Sequence, residues 1–81
     1  MKDSLLMKEY LGSQIEDTRQ LLDITQEKMA ELLHISPRSY NALKHQQYGV
    51  SATTLLFFLQ LLTDEQMVEF VRGFTHKSED K

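Results

Sequence analysis

The 81-residue chain has no cysteine and no tryptophan, only three glycines and a single proline. Without cysteine there is no disulfide framework and no thiolate metal site. With three glycines at positions 12, 49 and 73 there is no glycine-rich loop of the kind that cradles phosphates. Long apolar runs are also missing. The longest, Leu55 to Leu62, is interrupted by Gln60 and is far too short to span a bilayer as a helix. The segment Met1 to Tyr10 carries Lys2, Asp3, Lys8 and Glu9, so it lacks the uninterrupted apolar core of a signal peptide. These absences lead to the expectation of a cytoplasmic protein that neither enters nor crosses a membrane.

Catalytic constellations are missing as well. His34, His45 and His76 stand apart without metal-ligand spacing. Glu16 and Asp17 are adjacent and so diverge on a helix, which reads as solvated surface and not as an acid–base pair. The serines have no histidine partner in any recognisable arrangement. The expectation is no enzyme, no metal and no cofactor.

What is present is helical patterning. The chain reads as five helices with short breaks, and no stretch alternates like a strand. The first runs from about Asp3 or Ser4 to Leu22, with Leu11, Ile15, Thr18 and Leu22 on one face; Gly12 could divide it. The second is short and starts at an N-cap, Thr25, with Met29, Leu32 and Leu33 as its buried stripe. The third has the clearest start: Ser36 as N-cap and Pro37 in the first helical position, where a missing N–H costs nothing. Tyr40 and Leu43 point inward from it, leaving Arg38, Ser39, Asn41 and Ala42 on other faces. The fourth begins after Ser51, with Leu55 to Leu62 as its body. It is apolar nearly all round and so should be buried on most sides. The fifth opens on Thr63-Asp64-Glu65-Gln66, a capping box, and continues with Met67, Phe70, Val71 and Phe74 at helical spacing. One domain over 1–74 and a polar, flexible tail over 75–81 complete the reading.

Net charge is −3, which argues against indiscriminate coating of nucleic acid. The distribution is uneven. Every acid lies at or before Glu31 or at or after Asp64. Between Leu32 and Thr63 the only formal charges are Arg38 and Lys44, with His34 and His45 beside them. Two short helices joined by a tight turn in that region, Gln26 to His45, form the outline of a helix-turn-helix. Small Ala30 suits the close crossing, and His34 suits the left-handed turn position better than most non-glycine residues.

The block Thr25-Gln26-Glu27-Lys28-Met29-Ala30-Glu31-Leu32-Leu33-His34-Ile35-Ser36 resembles the helix-turn-helix of the lambda-repressor-like, or XRE, family of bacterial and phage regulators. The looser likeness extends over about Leu11 to Leu62. It implies a compact all-α bundle of about five helices, binding of specific duplex DNA sites, transcription regulation, and frequent dimerisation on palindromes. The recognition helix would be about 36–44. By position, the resemblance places Gln26 on a phosphate, Pro37, Arg38 and Ala42 towards the bases, and Ser39 near the DNA backbone. Asn41 joins the base-contact candidates, and Lys44 and His45 the phosphate candidates. Three positions depart from the family pattern: Lys44 stands where a glutamate commonly pairs with the residue at Arg19, Gln46 where a glycine is usual, and Val50 where a proline is usual. Arg19 is left to pair with Glu16 or Asp23, or to face solvent.

The aromatic residues of the last two helices exceed what one small core is expected to hide. A homodimer is therefore expected through Phe57, Leu61, Phe70 and Phe74. The alternative function is a protein-interaction module, an adaptor or antitoxin-like partner, that keeps the fold with little DNA binding.

Overall fold

The computed structural model describes the backbone of residues 2–45, 47 and 50–79, and the side chains of 6–45, 47 and 50–74. The described residues form five helices and no strand: α1 (Lys2–Leu22), α2 (Gln26–Leu33), α3 (Pro37–Lys44), α4 (Ala52–Leu59) and α5 (Asp64–Glu79). The all-α architecture thus follows the sequence pattern, and most boundaries are set by caps that the sequence carries locally. Thr25 Oγ1 accepts the Lys28 N–H at 3.0 Å, Ser36 Oγ the Ser39 N–H at 3.0 Å, and Ser51 Oγ the Thr54 N–H at 3.1 Å. Each satisfies an amide that the first turn of a helix leaves without a partner. The box before α5 is reciprocal. The Thr63 N–H donates to Gln66 Oε1 at 3.0 Å, and the Gln66 N–H donates to Thr63 Oγ1 at 3.1 Å.

α1 is one helix of 21 residues; Gly12 lies buried within it and does not divide it. Leu11 and Ile15, on either side, are anchored in the core, and that burial outweighs the roughly 1 kcal/mol a mid-helix glycine costs. The inner face of α1 is Tyr10, Leu11 and Ile15. Leu22, expected on it, is the last residue of the helix and is 45 % exposed. α2 packs on α3 and α4, and α1 packs on α3 and α5. Between them lies one contiguous core containing Tyr10, Leu11, Ile15, Met29, Ala30, Leu33, Tyr40, Leu43, Phe58 and Phe70.

Two expectations for the C-terminal half are corrected. α4 ends at Leu59, short of the expected Leu62, which the chain reaches through turn hydrogen bonds. Thr54 and Phe58 face inward while Leu56 is 61 % exposed. Leu55, Phe57 and Leu59 are partly buried against the core, so α4 is covered on most sides and Leu56 is the exception. On α5, Phe70 is buried and Phe74 packs against the core, but Val71 is 58 % exposed. α5 continues as helix through 75–79, a stretch without glycine or proline to stop it.

The α1–α5 contact is aromatic. Tyr10 stacks on Phe70 with centroids 5.5 Å apart and meets Phe74 at 5.6 Å, while Phe58 sits edge-on to Phe70 at 5.3 Å. The Tyr10 hydroxyl donates to the Phe70 carbonyl at 2.6 Å. It can do so because Gly73 has no Cβ: one placed there would run into Tyr10 Oη. Burial also raises the Tyr10 phenol pKa above its ordinary value.

Candidate nucleic-acid interface

α2 and α3 are joined by three residues, His34 to Ser36. His34 adopts φ 62° and ψ 40°, the left-handed conformation anticipated for it. The His34 N–H donates to Glu31 O at 3.1 Å and the Ile35 N–H to Ala30 O at 3.0 Å, the paired bonds of a Schellman motif. The imidazole lies flat on Phe57, with centroids 3.9 Å apart and planes inclined by 15°. α1 closes in the same way. Asp23 has φ 58°, its N–H donates to Gln20 O at 3.1 Å, and the Ile24 N–H donates to Arg19 O at 3.3 Å. Both turns around α2 are therefore made by non-glycine residues in a left-handed conformation.

On α3, Tyr40 and Leu43 are buried. Pro37, Arg38, Asn41 and His45 are exposed, and Lys44 is half-exposed. At about 100° per residue, Arg38, Asn41 and His45 fall within about 60° of one another, with Pro37 and Lys44 on the adjoining edge. Neither Arg38 nor Lys44 forms an ion pair with another described residue. Ala42, expected towards the bases, is only 8 % exposed; its position turns towards the packed flank. Ser39 also sits on that flank. Its N–H is given to Ser36 Oγ, and its own Oγ accepts a 3.1 Å bond from the Ser36 hydroxyl, so its main structural task is the cap. Gln26 is half-buried at the first position of α2. Gln46, one of the positions that depart from the family pattern, lies outside the described residues.

The inner side of α3 is held by Glu16, a residue whose sequence position suggests solvated surface. Glu16 is half-buried between α1 and α3. Its Oε1 accepts the Tyr40 hydroxyl at 2.6 Å and Arg19 Nε at 3.0 Å; its Oε2 accepts Arg19 Nη2 at 2.6 Å and Gln20 Nε2 at 3.2 Å. Arg19 Nη1 reaches on to the Ile24 carbonyl at 2.7 Å, pinning the turn into α2. The Arg19 hydrogen bonds, supported by those from Tyr40 and Gln20, outweigh the partial burial of Glu16 and hold its carboxyl at about 2. Burial and the neighbouring Glu16 carboxylate push the Tyr40 phenol upward, so it stays a donor at neutral pH. Of the partners left open for Arg19, the structure selects Glu16. The signal was in the sequence: Glu16 stands three residues before Arg19 and four before Gln20, within side-chain reach on a helix. Tyr40, 24 residues further on, was not foreseeable from spacing.

The expected dimer residues mostly face inward. Phe70 is in the core, Phe74 packs on Tyr10, Phe57 lies under His34, and Leu61 is half-buried. A single small core accommodates them because Tyr10 supplies an aromatic surface from α1 for both Phe70 and Phe74. The exposed large apolar side chains among the described residues are instead Met7, Leu21, Leu22, Leu56, Val68 and Val71. Among the described residues, no three His, Asp or Glu side chains gather in a group able to hold a metal ion, and no helix is long and apolar enough to cross a membrane. Compared with protein-family models, curated proteins and solved structures, the chain matches none.

Proposed function

We propose that this protein is a sequence-specific duplex-DNA-binding regulator of transcription, of the lambda-repressor-like kind, that acts in the cytoplasm and inserts α3 into the major groove. One observation carries the reading. The outward face of α3 presents Arg38, Asn41 and His45 with no acid from Leu32 to Thr63, while its inward face is fixed to α1 through Tyr40 and Glu16. A helix that must read bases needs such a combination, donors outside and a rigid mount inside.

In this role Arg38 bridges guanine O6 and N7 with two donors, and Asn41 pairs with the N6/N7 edge of adenine. Lys44, His45 and the uncapped amides at the start of α2, next to Gln26, meet phosphates. Two copies on a palindrome would set their α3 helices about 34 Å apart. Leu56, Val68 and Val71 are the apolar residues on α4 and α5 open to such pairing.

The test is selection of bound duplexes from a random library with purified protein, followed by a salt series on the winners. The expected result is an enriched motif whose affinity falls steeply with salt. A folded protein that enriches no sequence would overturn the reading and leave the interaction module in its place.

A further inference from the structure

A groove of about 410 Å³ runs between the second half of α1 and the first half of α5. Its floor is aromatic, formed by Tyr10, Phe58 and Phe70, and its walls include Leu21, Leu22, Leu61 and Leu62. Leu21 is 79 % exposed and Leu22 45 % exposed, adjacent leucines left in water at the end of a helix that buries Tyr10, Leu11 and Ile15. Among the described residues, the only charged side chains lining the groove are Asp17 and Glu69, one from each helix, joined by the polar Gln14, Thr18 and Gln66. No described Lys, Arg or His contributes to the lining.

We propose that this groove docks a basic amphipathic segment of a different protein, with apolar side chains of that segment on the aromatic floor and its Lys or Arg residues on Asp17 and Glu69. Charge selects the occupant. A carboxylate on each bank favours a cation beside an apolar group, and a second copy of this chain brings a net charge of −3 to a site already negative. A volume in the few-hundred Å³ range holds two or three side chains of such a segment. The position is also compatible with an occupied α3. On α1, the groove-lining residues Gln14, Asp17, Thr18 and Leu21 project about 180° away from Glu16 and Arg19, the pair that faces α3 and the turn into α2. A partner docked here therefore does not compete for the outward face of α3, and the proposal stands whether or not that face binds DNA.

The probe is a synthetic amphipathic helix of about four turns with leucines at i, i+4 and i+7 flanked by lysines, titrated into the full-length protein and followed by backbone amide NMR. Expected are shift changes centred on Gln14, Asp17, Thr18, Leu21, Gln66 and Glu69. The double variant Asp17→Lys/Glu69→Lys is expected to weaken binding at least tenfold, and Leu21→Ala several-fold. These residues lie on the groove rim or in solvent, and unchanged thermal melts would show that the variants remain folded. Three results would overturn the proposal: no shifts at the groove, equal binding of the same peptide with glutamates in place of its lysines, or shifts at these residues on concentrating the protein alone together with a doubled mass in sedimentation, which would make the occupant a second copy. None of these measurements uses DNA, so the outcome is independent of the library selection.

Discussion

The Tyr40 hydroxyl donates a 2.6 Å hydrogen bond to Glu16 Oε1, joining the middle of α3 to the second half of α1. The same carboxylate holds Arg19, and Arg19 holds the turn into α2. One acidic side chain thus fixes the placement of three helices. Tyr40→Phe is expected to cost about 1.5–3 kcal/mol, the range for a hydrogen bond to a charged group. A cycle with Glu16→Gln, measured by urea unfolding, should show the two changes to be less than additive. Full additivity would mean that the bond contributes nothing to the fold.

The Glu16 carboxyl also predicts an acid limb in the stability profile. Its pKa is lowered from the ordinary 4.5 to about 2 in the folded protein. The stabilisation from this group is therefore complete above about pH 4.5 and is lost as pH falls towards 2. It amounts to on the order of 2 kcal/mol once solvent screening is allowed for. Chemical denaturation between pH 5 and 2 should show the decline, and Glu16→Gln should flatten it. An unchanged profile in that variant would assign the acid sensitivity to other carboxylates.

Gly73 permits the approach of Tyr10. Gly73→Ala is expected to destabilise by about 1–3 kcal/mol through overpacking, despite the better helix propensity of alanine. In a Tyr10→Phe background the clash with Oη disappears, and the nearest remaining ring atom, 3.4 Å away, is an ordinary contact. The double variant should then be at least as stable as Gly73→Ala alone, and thermal melts of the four proteins decide this.

Asp23 and His34 are both held at positive φ, with different surroundings. Asp23 is exposed, so Asp23→Gly should raise stability by up to about 1 kcal/mol. His34→Gly relieves the same backbone cost but loses the stack on Phe57, a contact of about 0.5–1.5 kcal/mol, and should come out near zero. Equal gains at both sites would show that the stack is energetically silent.

Arg38→Ala is expected to leave stability within about 0.5 kcal/mol, as for an exposed residue without partners, while reducing discrimination at one base pair by about 1–3 kcal/mol. Competition assays between the selected site and its single-base variants measure this. Equal weakening on every duplex would make Arg38 a phosphate contact instead.

The extent to which these features were legible in the sequence follows a physical division. Thr25, Ser36 with Pro37, Ser51, and Thr63 with Gln66 act on amides within three residues of themselves, so the sequence alone determined where α2, α3, α4 and α5 begin. It determined the left-handed turn at His34 for the same reason, since the conformation is chosen by one residue and its immediate neighbours. The candidate outward face of α3 was mostly readable, because polar Arg38 and Asn41 alternate with apolar Tyr40 and Leu43. Tertiary structure decided which apolar residues are covered: Phe70 and Phe74 against Tyr10, but not Val71, Leu56 or Leu21. It turned Ala42 inward and made Glu16 the tie between α1 and α3. Periodicity gives a helix an apolar stripe, but how wide a stripe is buried, and which polar group on its edge finds a partner, depends on the angle at which a second helix arrives. That angle is a property of the assembled bundle, set by contacts between residues far apart in the chain.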